Sequence, residues 1–86
     1  MSPERIEAVA KKAKMTSKET AIIKRLMLVP NIVVTREVLR NEIPGVAPRT
    51  LDTYIKNIRR KLAASGESVG GIETSPGVGF RFSEKG

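Results

Sequence analysis

The amino-acid sequence predicts a single α+β domain in which helices come first and a β-hairpin comes last. Three observations predict this class. Apolar residues recur at helical spacing through most of the chain, short β-type segments flank a Pro-Gly turn near its end, and 86 residues leave room for one domain only. A domain of this length buries about 60% of the surface that its unfolded chain exposes, so its core must be small.

The first two helices begin at residues that commonly cap helices. Ser2, followed by Pro3 at the first helical position, predicts an additional N-terminal helix within residues 1–14. Thr16 followed by Glu19 has the spacing of a capping box. It predicts a second helix that reaches about residue 28, because a proline follows two positions later.

A short strand and a short helix follow. The β-branched residues of the segment Asn31–Val34 predict a strand that can pair with the hairpin as a third strand. Thr35 is a capping residue for a third helix, which Pro44 and Gly45 end.

The longest predicted helix covers about residues 48–64. Leu51, Ile55, Ile58 and Leu62 follow one another at intervals of four, three and four, which places them on one apolar stripe. Long cationic and polar side chains fall on the other side, namely Arg49, Thr53, Lys56, Asn57 and Arg60. One face therefore belongs to a core, and the opposite face is free to contact a partner.

The last elements are two strands around the turn Ser75–Val78. Phe80 and Phe82 are two positions apart in the second strand, so both side chains are expected to point into the core.

Composition excludes several classes of function. The chain has no His and no Cys, which removes the usual metal ligands, disulfides and Ser-His or Cys-His nucleophiles. The Asp, Glu, Ser and Lys residues are not spaced in a way that would form an acid–base pair or an activated nucleophile. We therefore expect no enzyme activity, no metal, no cofactor and no small-molecule substrate.

The positive charge is concentrated in one segment. The net charge is +7, and residues 46–65 contribute +4 of it, with five basic residues and a single Asp. Such a concentration favours a polyanionic partner, although a solvated helix face that maintains solubility is the alternative. No apolar run is long enough for a membrane helix and no export signal is present, so we expect no membrane association and a cytoplasmic location.

The order of the elements suits a winged helix-turn-helix, with a three-helix core, a C-terminal hairpin as the wing and the additional N-terminal helix. In that arrangement a support helix positions a second helix, whose outer face enters the major groove of DNA. The groove is about 12 Å wide and admits one α-helix, so the contacting side chains must project from a single face. Residues 49–60 satisfy this requirement.

Five segments, in order, resemble the C-terminal effector domains of OmpR/PhoB-type response regulators. They are Thr16–Glu19, Val33–Leu39, Arg49–Ile55, Ile58–Leu62 and Gly77–Phe82. The resemblance implies sequence-specific binding of double-stranded DNA in bacterial transcription regulation, in the nucleoid, with two domains arranged in tandem. We also expect RNA polymerase or another regulator as a further partner. We accordingly divide the chain into the N-terminal helix, residues 1–14, and the DNA-binding domain, residues 15–86.

The resemblance also implies which residues contact DNA. Lys56 and Asn57 occupy the main base-contacting positions of the family, with Thr53 and Arg60 beside them. The residues expected at phosphates are Arg49, Thr50, Tyr54, Arg59 and Ser75.

The sequence departs from the family pattern in two places. Members begin with an antiparallel sheet where this chain has the helix predicted within residues 1–14, and members often carry an Arg at the wing tip where Pro76 stands. No receiver domain is included, which fits either an excised domain or a regulator without that switch. These departures keep a second hypothesis open: a protein-interaction module that uses the winged-helix scaffold to bind another regulator or a polymerase subunit.

Overall fold

The computed structural model describes residues 2–66 and 69–84. The helices and strands within them are, in chain order, α1 (Pro3–Lys12), α2 (Ser17–Leu28), β1 (Val34–Thr35), α3 (Arg36–Asn41), α4 (Pro48–Ser65), β2 (Gly70–Ser75) and β3 (Gly79–Glu84). This is the predicted winged helix-turn-helix with an additional N-terminal helix. Of the described helices, none combines the length and the apolar character needed to span a membrane.

The helix starts lie where the capping residues predicted them. Ser2 accepts a hydrogen bond from the Arg5 backbone N–H, at 3.3 Å, and begins α1. At α2, the Glu19 backbone N–H donates to Thr16 Oγ1 at 3.3 Å, and the Thr16 N–H donates back to Glu19 Oε1 at 2.8 Å. The capping box is therefore confirmed. Thr35 caps α3 by accepting a hydrogen bond from the Val38 backbone N–H, three residues further along, at 3.3 Å.

The three strands form one antiparallel sheet in the order β1-β3-β2. The prediction of a strand over Asn31–Val34 was correct only at its end, because β1 is Val34–Thr35. Asn31 has a left-handed backbone with φ of 65°, donates its N–H to the Phe82 carbonyl at 2.7 Å and accepts from the Glu84 N–H at 3.2 Å. The chain turns at this point, so an extended ladder begins three residues later.

A single apolar core lies between the helices and the sheet. Leu51, Ile55, Ile58 and Leu62 of α4 are at most 4% exposed, and Phe80 and Phe82 are both buried, as predicted. The same cluster takes in Ile6, Val9 and Ala10 of α1, which packs on α2, together with Ile22, Ile23, Leu26 and Met27. The N-terminal helix is thus part of the one core.

Gly79 lies where β3 passes closest to β1. It pairs with Thr35, and a Cβ built at Gly79 would lie 2.0 Å from the carbonyl oxygen of Val34. Because the obstacle is backbone, no side-chain rotation can relieve it.

We expect Gly79→Ala to lower the free energy of unfolding by about 2 kcal/mol or more, since β1 must separate from β3 to admit the methyl group. Gly71→Ala is the matched control, because nothing lies within 4 Å of a Cβ at Gly71, and its effect should stay within about 0.5 kcal/mol. Urea denaturation of both variants measures the difference. Equal stabilities for the two variants would contradict the close approach.

Candidate nucleic-acid interface

The outer face of α4 carries the residues predicted to contact bases. Because the stripe from Leu51 to Leu62 is buried, the opposite side of the helix faces solvent. Exposed side chains along it are Arg49, Thr53, Lys56 and Arg60, and Asn57 is half-buried at the margin. The structure therefore brings together all four residues predicted to contact bases on one helix face.

One flank of α4 is held by a buried acid. Glu19 is 2% exposed and is the one charged residue that is buried in the described part of the chain. Its carboxylate accepts a hydrogen bond from the Lys61 ammonium, and the two form an ion pair. Burial raises the pKa of Glu19, but the hydrogen bonds from Lys61 and Thr16 and the charge of Lys61 outweigh burial, so its pKa lies below the ordinary value.

The other flank carries a bidentate ion pair between α3 and α4. Arg36 Nη1 and Nη2 donate to the two carboxylate oxygens of Asp52, each at 2.9 Å. The guanidinium carbon of Arg36 also lies 5.4 Å from the centre of the Phe80 ring. The hydrogen bonds from Arg36 lower the pKa of Asp52, which stays ionised and paired. Asp52 is the one acidic residue in the sequence of α4, so its charge is offset beside the candidate interface.

Arg59, predicted to contact phosphate, is held by the wing. Its Nε donates to the carbonyl oxygen of Ile72 at 3.0 Å, and its Nη2 donates to Thr74 Oγ1 at 2.7 Å. Both acceptors belong to β2, so Arg59 joins α4 to the hairpin.

The remaining residues predicted at phosphates lie at three places. Arg49 is exposed and Thr50 is half-buried in the first turn of α4, where the N-cap Ala47 makes no side-chain hydrogen bond to the helix. Tyr54 is partly buried against the core. Ser75 is half-buried at the end of β2, and its carbonyl accepts from the Val78 N–H, which closes the turn, at 3.0 Å.

Sequence reasoning missed the partners that orient α4. It took Glu19 only as a capping residue and gave Arg36 no role. One signal was available for Asp52: a lone acid within a basic helix needs a partner. Its partner could not be chosen among 16 basic residues without the tertiary structure.

The family described as "Transcriptional regulatory protein, C terminal" matches residues 10–82. The chain belongs to this family. The match covers the winged helix-turn-helix and begins within α1, so most of the additional helix lies outside it.

Two curated relatives are regulators from bacteria. The transcriptional regulatory protein BaeR of Escherichia coli O6:H1 is 36% identical over 72 residues, which cover 79% of this chain and 30% of BaeR. The transcriptional regulatory protein SrrA of Staphylococcus aureus is 35% identical over 86 residues, which cover 94% of this chain and 36% of SrrA. The chain spans about a third of the length of these relatives.

Two solved structures are similar in fold. The DNA-binding domain of the response regulator AdeR, solved in complex with an intercistronic region, superposes with a TM-score of 0.70 at 29% identity and covers 81% of this chain and 72% of the AdeR chain. The C-terminal domain of the nisin resistance regulator NsrR gives a TM-score of 0.68 at 24% identity, with 83% of this chain and 75% of the NsrR chain covered, and supports the fold alone.

We expect Lys61→Met to lower the free energy of unfolding by about 1–3 kcal/mol at neutral pH, because the buried carboxylate of Glu19 loses its partner. This expected loss is smaller than the loss on breaking a fully buried ion pair, because the Lys61 side chain is 25% exposed. The exposed Lys24–Glu7 pair, at 3.7 Å, provides the control Lys24→Met, with an expected change of less than about 1 kcal/mol.

The pH dependence follows from the lowered pKa of Glu19. Its ion pair contributes fully to the free energy of unfolding when the pH is above the unfolded-state pKa, near 4.5. This contribution is lost as the pH falls through the lower pKa of the folded state. The stability difference between the wild type and Lys61→Met should therefore shrink below about pH 4.5. A difference that stayed constant down to acid unfolding would contradict the pairing.

Proposed function

We propose that this chain binds double-stranded DNA in a sequence-specific manner in transcription regulation, with α4 in the major groove. The observation that carries the proposal is the outer face of α4, where cationic and amide side chains share one side of an 18-residue helix whose other side is buried. Family membership and the DNA-bound AdeR domain support it. A major groove admits such a helix and leaves its flanks beside the phosphates.

Lys56 and Asn57 are the main base-contacting residues in this proposal. An ammonium group can donate to guanine O6 and N7, and a side-chain amide can form two hydrogen bonds with adenine. Lys56 lies midway along the exposed face and Asn57 at its margin, with Thr53 one turn before Lys56 and Arg60 one turn after it. They therefore extend the contact in both directions along the groove.

The N-terminal end of α4 is the proposed phosphate contact. Ala47 has no side chain that can cap the helix, Pro48 has no N–H, and the Thr50 N–H donates to the Ala47 carbonyl at 3.0 Å. We therefore propose that a phosphate accepts from the Arg49 N–H. Arg49 and Thr50 stand beside that end, Tyr54 lies one turn further along, and Ser75 adds a hydroxyl from the wing. Pro76 offers no cation at the wing tip, so we propose that the wing contacts phosphate and does not insert a charged side chain into the minor groove.

The same proposal extends to the assembly. We propose that residues 15–86 form the DNA-binding unit and that the N-terminal helix of residues 1–14 is an addition to it, with α1 packed on α2. Two such units would bind half-sites in tandem in the bacterial cytoplasm, with RNA polymerase or another regulator as a further partner and no catalytic activity. The bacterial relatives and the regulatory family support this setting.

Selection from a random pool of DNA duplexes, followed by mobility-shift titration of the best sequence, tests the proposal. The logarithm of the association constant should fall with the logarithm of salt concentration with a slope of roughly −4 to −6 for one domain. The spacing of selected half-sites reports whether two domains bind in tandem.

We expect the double variant Lys56→Ala, Asn57→Ala to lose its preference for the selected sequence, at about 1–3 kcal/mol for each bidentate base contact removed. Lys11→Ala removes one charge from α1 and serves as the control, with its sequence preference retained. Full preference in the double variant would show that α4 does not recognise the sequence. Failure of the wild type to bind any duplex at low salt, together with a stable protein complex, would favour the interaction module.

A further inference from the structure

We propose that Arg59 is a positioning residue that holds the wing at a set distance from the recognition helix, in place of the phosphate contact that its charge and position suggest. The inference rests on the proposed DNA binding. Its basis is the pair of hydrogen bonds from one guanidinium to two points on β2, the Ile72 carbonyl at 3.0 Å and the Thr74 hydroxyl at 2.7 Å. A planar fork with two fixed acceptors resists both sliding and rotation of the strand.

The two acceptors lie at the point along β2 where burial of its side chains ends. Ile72 is 7% exposed and is the last buried residue of β2 before the turn, since Glu73 and Thr74 are exposed and Ser75 is half-buried. Contacts of its own side chains with the core therefore anchor β2 only as far as Ile72, whereas β3 is anchored further, by its pairing with β1 and by the Arg36 N–H, which donates to the Val78 carbonyl at 3.3 Å. The hydrogen bond from Arg59 to Thr74 extends the anchorage two residues towards the wing tip.

The two strands of the hairpin are coupled along their whole length. Its two strands pair over six residues each, from Gly70 with Glu84 to Ser75 with Gly79, and Glu73 and Arg81 form an ion pair across them. A change in the position of β2 at Thr74 would therefore also displace Ser75, the next residue of the same strand. Arg59 follows Lys56 by one helical turn, so the same helix that carries the base contact also sets the wing position.

This role makes a different prediction for DNA binding from a phosphate contact. A wing that is already ordered loses less conformational entropy on binding, which strengthens the complex without adding an ionic contact. A phosphate contact, in contrast, releases a counterion and adds about 0.9 to the magnitude of the salt slope. The affinity and the salt slope together separate the two roles.

Salt-dependent titration of the selected duplex is the test, with Arg59→Ala, Thr74→Val and Arg49→Ala compared with the wild type. We expect Arg59→Ala to weaken binding by roughly 5- to 30-fold with an unchanged slope, and Thr74→Val, which keeps the charge, to weaken it by about 3-fold. The double variant Arg59→Ala, Thr74→Val should bind the duplex no more weakly than Arg59→Ala alone, because both substitutions break the same contact. Arg49→Ala is the comparison for a phosphate contact, with a slope smaller in magnitude by about 0.9.

Hydrogen exchange without DNA provides a second measurement. The backbone N–H groups of the turn and of the adjoining ends of β2 and β3 should exchange faster in Arg59→Ala and Thr74→Val, while those of α2 stay protected. The proposal is overturned if exchange is unchanged, or if Arg59→Ala reduces the slope by about 0.9 while Thr74→Val binds like the wild type. If the wild type binds no duplex, the proposed function fails, and the exchange measurement still decides whether Arg59 positions the wing.

Discussion

Burial of the apolar stripe on α4 is the constraint on which the orientation of the helix, and so the position of its exposed face, depends. Each fully buried aliphatic side chain contributes about 1.5–3 kcal/mol, whereas a partly exposed polar contact contributes about 1 kcal/mol. The stripe therefore decides which side of α4 faces solvent, and the polar contacts adjust the orientation of the helix about its axis. Lys61 with Glu19 holds one flank, and Asp52 with Arg36 and Arg59 with β2 hold the other. With both flanks held, rotation of α4 about its axis is opposed in either direction.

Local signals predicted most of the fold because the interactions that produce them lie within one turn of helix. The Thr16 capping box, the stripe of α4 and the two buried aromatic residues of β3 were each predictable from residues no more than four positions apart. The strand near Asn31 was misplaced, because the left-handed turn there is stabilised by hydrogen bonds to β3, about 50 residues away. Tertiary hydrogen bonds of this kind leave no periodic pattern in a sequence.

The candidate interface, like the fold, could be predicted from the sequence only in part. The exposed face of α4 follows from its period, so Lys56 and Arg60 were placed correctly on the outer side. The hydrogen bonds of Arg59 to β2 could not be predicted, because its neighbours on the helix do not reveal an acceptor there, and a basic residue next to a basic face suggests DNA when charge alone is considered. Charge predicts the class of partner, but only the geometry of the acceptors shows which cations are already engaged.

The hydrogen bond from Arg59 to the Ile72 carbonyl has a consequence for solubility. In the described sheet, β2 is an outer strand, and an outer strand displays backbone groups that can recruit a strand from another molecule. The guanidinium occupies one of those groups and places a positive charge beside it, while β1, the other outer strand, has only two residues. A single side chain thus makes the longer outer strand less able to recruit a strand from another molecule, which opposes aggregation of the domain.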